Sequence, residues 1–217
     1  MLRIGVVVTS ACLSMQVQKS RGAEAPIEAK GLPPRATPAD YQAQAQAGMA
    51  TVAAEFRGHS VPTPEGTLST DDYVAVEAGL FGPPGARVTI SSNDFTLRLN
   101  GKKTPLPSQP YGLVVQSVRD PEWEPPTPAA FKSKTTFGGS GNEQGDAKTP
   151  PAPVTVPIEV QRAMAQRVQK ASLPEGVRAL PQAGLIFFQF RGKIQGIHSI
   201  ELIYAGPDGA ATLTLQP

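Results

Sequence analysis

The chain has 217 residues, with 20 Lys and Arg against 18 Asp and Glu, one Cys and one Trp. Gly (21) and Pro (23) together make about a fifth of it, against roughly an eighth in average usage, while charged residues are only 18% and hydrophobic ones 40%. That balance excludes a helix bundle, a coiled coil and a highly charged disordered chain, and it fits a turn-rich β protein.

Met1-Leu2-Arg3 gives a short basic start, and residues 4–15 are apolar apart from Gly5, Thr9, Ser10 and Ser14. The run falls short of the roughly twenty apolar residues that a spanning helix needs, and it has the size of a signal-peptide core. Residues 1–22 therefore read as a signal peptide ending at the small-x-small triplet Ser20-Arg21-Gly22, with a buried strand over residues 4–8 as the alternative. The expected location is outside the cytoplasm, periplasmic or secreted, with no transmembrane span in the mature chain. Cys12 is the only cysteine, so no internal disulfide is possible. Thr9-Ser10-Ala11-Cys12 loosely resembles the box in which a cysteine receives lipid, with Thr9 where that box has Leu; Cys12 reads as a plain signal residue or as a lipid anchor. Loss of residues 1–22 removes Arg3, Lys19 and Arg21, so 17 basic residues face 18 acidic ones and the net charge moves from +2 to −1. A nucleic-acid binder needs a concentrated basic excess, which this mature chain lacks.

Residues 23–50 carry Pro26, Pro33, Pro34 and Pro38 and read as a loose lead-in, within which Gln42-Ala43-Gln44-Ala45-Gln46-Ala47 fits a strand or a weak helical turn. From Thr51 the period becomes two, the mark of half-buried strands. Val52, Ala54 and Phe56 share one face. Val74, Val76, Ala78 and Leu80 share another, in a run that Gly82-Pro83-Pro84-Gly85 ends. Val88 and Ile90 follow, then Phe95, Leu97 and Leu99, closed by the tight-turn pair Asn100-Gly101. Residues 111–118 read as a further strand. Residues 121–156 break the rhythm: the 37 residues 121–157 hold eight prolines and four glycines, which no ladder sustains. Residues 157–172 predict a surface helix opened by Pro157 and docked by the stripe Val160, Met164, Val168 and Ala171. Leu185-Ile186-Phe187-Phe188-Gln189-Phe190 is the most apolar run of the mature chain. Ile200, Leu202 and Tyr204, then Ala211, Leu213 and Leu215, form a closing hairpin about Gly206-Pro207-Asp208-Gly209. Short strands without βαβ repetition predict a mainly β, antiparallel two-sheet sandwich over residues 51–217.

Asp72-Tyr73-Val74-Ala75-Val76-Glu77, Ile90-Ser91-Ser92-Asn93-Asp94-Phe95-Thr96-Leu97 and Asn100-Gly101-Lys102-Lys103 resemble a family of exported bacterial telokin-like, immunoglobulin-like domains of unknown function, related in form to a mycobacterial immunoprotective extracellular antigen. The final strands, residues 184–190, 197–204 and 211–215, are similar to that family's end. The resemblance implies an immunoglobulin-like sandwich in an envelope or secreted setting and supplies no catalytic residues. It does not extend over residues 104–181, where this chain carries its Pro-rich excursion and helix.

Catalytic chemistry is thin. His59 and His198 are isolated, with no paired spacing of the kind zinc sites show. Asp71, Asp72 and Asp94 lie near loops but lack the ordered spacing of a calcium loop, and Asp71 and Asp94 read as turn or strand-entry residues. Gly138-Gly139-Ser140-Gly141 has neither the Lys-Ser/Thr pair of a phosphate loop nor the strand and helix of a serine elbow, and reads as linker. No cofactor motif is present. The most suggestive residue is Trp123, in Asp120-Pro121-Glu122-Trp123-Glu124-Pro125-Pro126. It reads either as a ring packed on the core, or as an exposed anchor for a partner protein with Glu122 and Glu124 as polar rim. Three function classes follow. The first is a non-enzymatic exported domain that binds an envelope or extracellular protein. The second is a carbohydrate-binding module with Trp123 and Tyr111 on one flat face. The third is a secreted hydrolase or metal-dependent enzyme in which His59, His198 and Asp71 or Asp72 converge.

Overall fold

The structure is a computed structural model, and it describes residues 29–124 and 156–217. In chain order its strands and helices are β1 (Ala43–Ala47), β2 (Ala50–Gly58), β3 (Ser60–Thr63), β4 (Gly66–Thr70), β5 (Tyr73–Phe81), β6 (Arg87–Ile90), β7 (Phe95–Leu99), β8 (Leu106–Gln109), α1 (Tyr111–Val114), β9 (Val118–Arg119), α2 (Ile158–Ala171), β10 (Gly176–Ala179), β11 (Gln182–Gln189), β12 (Ile200–Gly206) and β13 (Gly209–Leu215). The signal peptide expected over residues 1–22, with Cys12, and residues 125–155 of the expected insertion, with Gly138-Gly139-Ser140-Gly141, lie outside the described residues.

Eight strands form one antiparallel sheet in the order β1-β2-β5-β11-β8-β7-β12-β13. Its first half is β1-β2-β5-β11 and its second is β7-β12-β13. β8 joins them, pairing Ser108 with Phe188 on one side and Leu106 with Leu97 on the other. The two edges then approach each other: the Gln42 side chain donates to the Gln216 carbonyl at 3.0 Å, and the Asp208-Gly209 turn abuts Gly48. The chain is mainly β and antiparallel, as alternation predicts, and its eight-stranded sheet is nearly barrel-shaped.

Period-two alternation fills the inside. Val52, Ala54 and Phe56 of β2, Val74, Val76, Ala78 and Leu80 of β5, Phe95, Leu97 and Leu99 of β7, and Ile200, Leu202 and Tyr204 of β12 share a single buried cluster. Each large side chain so buried contributes on the order of 1.5–3 kcal/mol. Asn100 and Gly101 take positive φ, 52° and 64°, as a tight turn demands.

β11 is apolar without alternation because both its faces are covered. Ile186 and Phe188 enter the inner core, whereas Leu185 and Phe187 join a second cluster with Met164, Val168 and Ala171 of α2, Val61, Leu68, Val114 and Val118. The helix thus docks by the predicted stripe, Val160 packing at its margin. Beyond α2 the chain runs close alongside β11, Ser172 bridging to Leu185 and Leu173 N donating to Leu185 O at 3.0 Å. Gly184 has to be glycine there, since a Cβ would collide with the Leu173 backbone.

Two segments differ from expectation. The lead-in expected over residues 23–50 belongs to the fold from Leu32, which bridges to Ala183, and β1 adds an edge strand. Tyr41 is buried, lying over Gly79 where a Cβ would stand 2.8 Å from the phenol. Residues 111–118 are the helical turn α1 and a short β9 rather than one strand. Pro110 has the φ of −65° that leads into a helix, and only Val114 of α1 is buried, so the run Leu113-Val114-Val115 does not alternate across a sheet.

Candidate functional site

Trp123 is positioned by a tight turn. Asp120 accepts from the Trp123 main-chain N–H at 3.2 Å through its carbonyl, and from the Glu122 N–H at 3.1 Å through Oδ1. Pro121 fits the first central position of such a turn because its φ is already set. The remaining carboxylate oxygen, Oδ2, accepts from Arg167 Nη1 at 2.8 Å, and Arg167 Nε donates to Thr63 Oγ1 at 3.2 Å. Arg167 comes from α2 and Thr63 from β3, so the turn is fastened to two other elements. Both members of the Arg167–Asp120 pair are largely buried, which limits solvent screening and makes this an effective brace.

The half-buried Trp123 ring lines a cavity of about 230 Å³ with Val118, Arg119, Asp120, Val156, Val160 and Met164. Val118, Arg119, Val156 and Met164 also line a neighbouring compartment of about 570 Å³, which runs past Gln116, Ser117 and Gln161 to Asp71 and Asp72. The two form one groove along α2, apolar at the Trp123 end and polar at the other. Glu122 and Glu124 are exposed beside the ring and have no ion partner among the described residues. Of these residues, the sequence alone singles out Trp123, Glu122 and Glu124 as candidates. It misses Arg167, whose spacing from Asp120 carries no local signal.

The other candidate residues lie elsewhere. Tyr111, 37% exposed, borders a separate cleft of about 300 Å³ with Gln109, Gln169, Glu175 and Arg178 over Leu185 and Phe187. Trp123 and Tyr111 therefore border different clefts. His59 turns both ring nitrogens to main-chain carbonyls, Nδ1 to Tyr73 at 2.7 Å and Nε2 to Gly192 at 3.0 Å, and stacks on Phe190. His198 is exposed, its main-chain N–H bonded to Asn100 Oδ1. Asp71 pairs with Arg119 and Asp72 with Arg191. Neither histidine lines the compartment that holds these aspartates. Among the described residues, no three His, Cys, Asp or Glu side chains are placed to hold a metal ion. No described helix is long and apolar enough to cross a membrane.

No family model matches this sequence, and no curated protein matches it. Among solved structures it is similar to a candidate lipoprotein of Bacillus subtilis, with 12% identity and a TM-score of 0.35, over 79% of this chain and 37% of that one. This chain thus spans little more than a third of that protein's length, and a likeness of that degree carries no argument about fold or function.

Proposed function

We propose that this chain is an exported, non-enzymatic domain that binds another envelope or extracellular protein, and that the Trp123 groove is its docking surface. The observation that carries the reading is a large aromatic ring held at the rim of an open apolar cleft by a turn braced through Asp120 and Arg167. Interfaces draw most of their affinity from such rigid aromatic anchors, because little conformational freedom is lost when the partner arrives. Export rests on the basic-then-apolar start over residues 1–15. In this reading the two halves of the sheet face each other in the manner of an immunoglobulin-like sandwich, as the resemblance to telokin-like exported domains implies.

The test is affinity capture from envelope extract with the mature chain and with Trp123→Ala. The variant is expected to melt within a few degrees of the parent while retaining no more than about a tenth of the captured partner. Undiminished capture by a folded Trp123→Ala protein would remove the groove from the account.

A further inference from the structure

The Trp123 end of the groove joins an apolar cleft to neighbouring unpaired glutamates, and that combination specifies its occupant. At one end Trp123, Val118, Val156, Val160 and Met164 enclose a volume of about 230 Å³, of the order of one bulky apolar side chain. At the other end Asp71 and Asp72 face a roomier, polar compartment. Among the described residues, three aspartates line the groove, Asp71, Asp72 and Asp120, and three guanidinium groups stand by them, those of Arg119, Arg167 and Arg191. Each guanidinium is already paired with an aspartate. Glu122 and Glu124, exposed on either side of Trp123 in the chain, have no ion partner among the described residues, so the uncompensated charge next to the apolar cleft is negative. Arg162, also on α2, is exposed and lies half a helical turn from the stripe that faces the groove.

We infer that the groove accepts an extended segment of a partner protein in which one bulky apolar side chain is followed or preceded, within a few residues, by Lys or Arg. The apolar side chain fills the Trp123 cleft, and the basic one lies against Glu122 and Glu124. Complementary charge of this kind selects the partner and speeds encounter, while the buried apolar side chain supplies affinity. The inference rests on the protein-binding reading above and adds the chemistry of what is bound.

Trp123 is the only tryptophan, so its fluorescence reports occupancy of the cleft directly. The probes are three blocked eight-residue peptides: one with a single Leu and two Lys two and four positions away, one with both Lys replaced by Glu, and one with the Leu replaced by Ser. The full mature chain is expected to give a saturable change with the first peptide and at least about tenfold weaker binding of the other two. Raising salt from about 20 to about 300 mM should weaken the first further. The double variant Glu122→Lys, Glu124→Lys, altered only at exposed positions, should prefer the Glu peptide. Equal binding of the Lys and Glu peptides, or of the Leu and Ser peptides, overturns the inference. So does the absence of any response when Trp123→Ala still abolishes partner capture, a result that leaves the protein-binding reading standing. Loss of both the peptide response and the Trp123-dependent capture removes both. The sequence Phe131-Lys132-Ser133-Lys134 has the same chemistry, so binding that appears only after deletion of residues 129–155 would assign the groove to the chain itself and overturn the assignment to a partner.

Discussion

Glu55 and Glu77 stand directly opposite each other on the outer face of β2 and β5, an arrangement that repels unless it is neutralised. Arg35 and Arg57 neutralise it. Arg57 reaches Glu55 at 2.7 Å and pairs with Glu77, and Arg35 pairs with both glutamates while lying 4.4 Å from the centre of the Tyr41 ring. Burial works against the Arg35 charge, but the hydrogen bonds and fields of Glu55 and Glu77 outweigh it and hold the guanidinium above its usual range. Only 7% of the Glu77 side chain is exposed. Glu77→Ala leaves two guanidinium groups sharing Glu55 alone and removes the buried acceptor that both use, and it is expected to cost about 2 kcal/mol in urea unfolding. A change below about 0.5 kcal/mol would make the cluster a solvated ornament. None of this was legible by pattern. Alternation puts Glu77 on the face of its strand away from the core, but its partner arrives from a stretch whose prolines read as loose chain. The same holds for Arg167 and Asp120, brought together only by the docking of α2.

At the scale of elements, β2, β5, β7, β12 and β13 were legible because each carries its own alternation within a few residues, and Asn100-Gly101 because positive φ selects those residue types. β8 was not, since Leu106-Pro107-Ser108-Gln109 has a single bulky apolar residue, although it joins the sheet's two halves. β3, β4 and β10 are similarly short and polar. The helix was legible from its stripe, and its docking gives a direct test. Val168 is fully buried between α2 and β11. Val168→Asp places an unpaired carboxylate there and is expected to cost more than about 3 kcal/mol, lowering helical circular dichroism if α2 undocks before the sheet melts. Peptide binding at the Trp123 groove should be lost with it, because Val160 and Met164 form one wall. A stable Val168→Asp protein with full helix content would contradict the docked arrangement.

For the whole molecule, the curled sheet buries aromatic side chains at both ends of its sequence, and pH reads that burial. Burial raises Tyr41 above the usual tyrosine value of 10.0, the field of Glu77 adding to it. Burial likewise raises Tyr204, with the fields of Asp94 and Asp208 adding to it. A raised value means that the folded state keeps its phenolic protons where the unfolded chain has begun to lose them, so stability falls as pH climbs past 10. Unfolding free energies measured from pH 8 to 11 should fall above pH 10, and Tyr204→Phe should flatten that fall. An unchanged slope would mean that the ring is not held neutral by the core.

The central claim is that the groove beside α2 is where another protein docks, and the most direct measurement is site-specific photo-crosslinking in the cells that make this chain. A benzophenone side chain at position 123 should give a single discrete adduct from the envelope or extracellular fraction. The same group at Thr212, exposed on β13, should give none. Equal adducts from both positions, or none from 123, would contradict it.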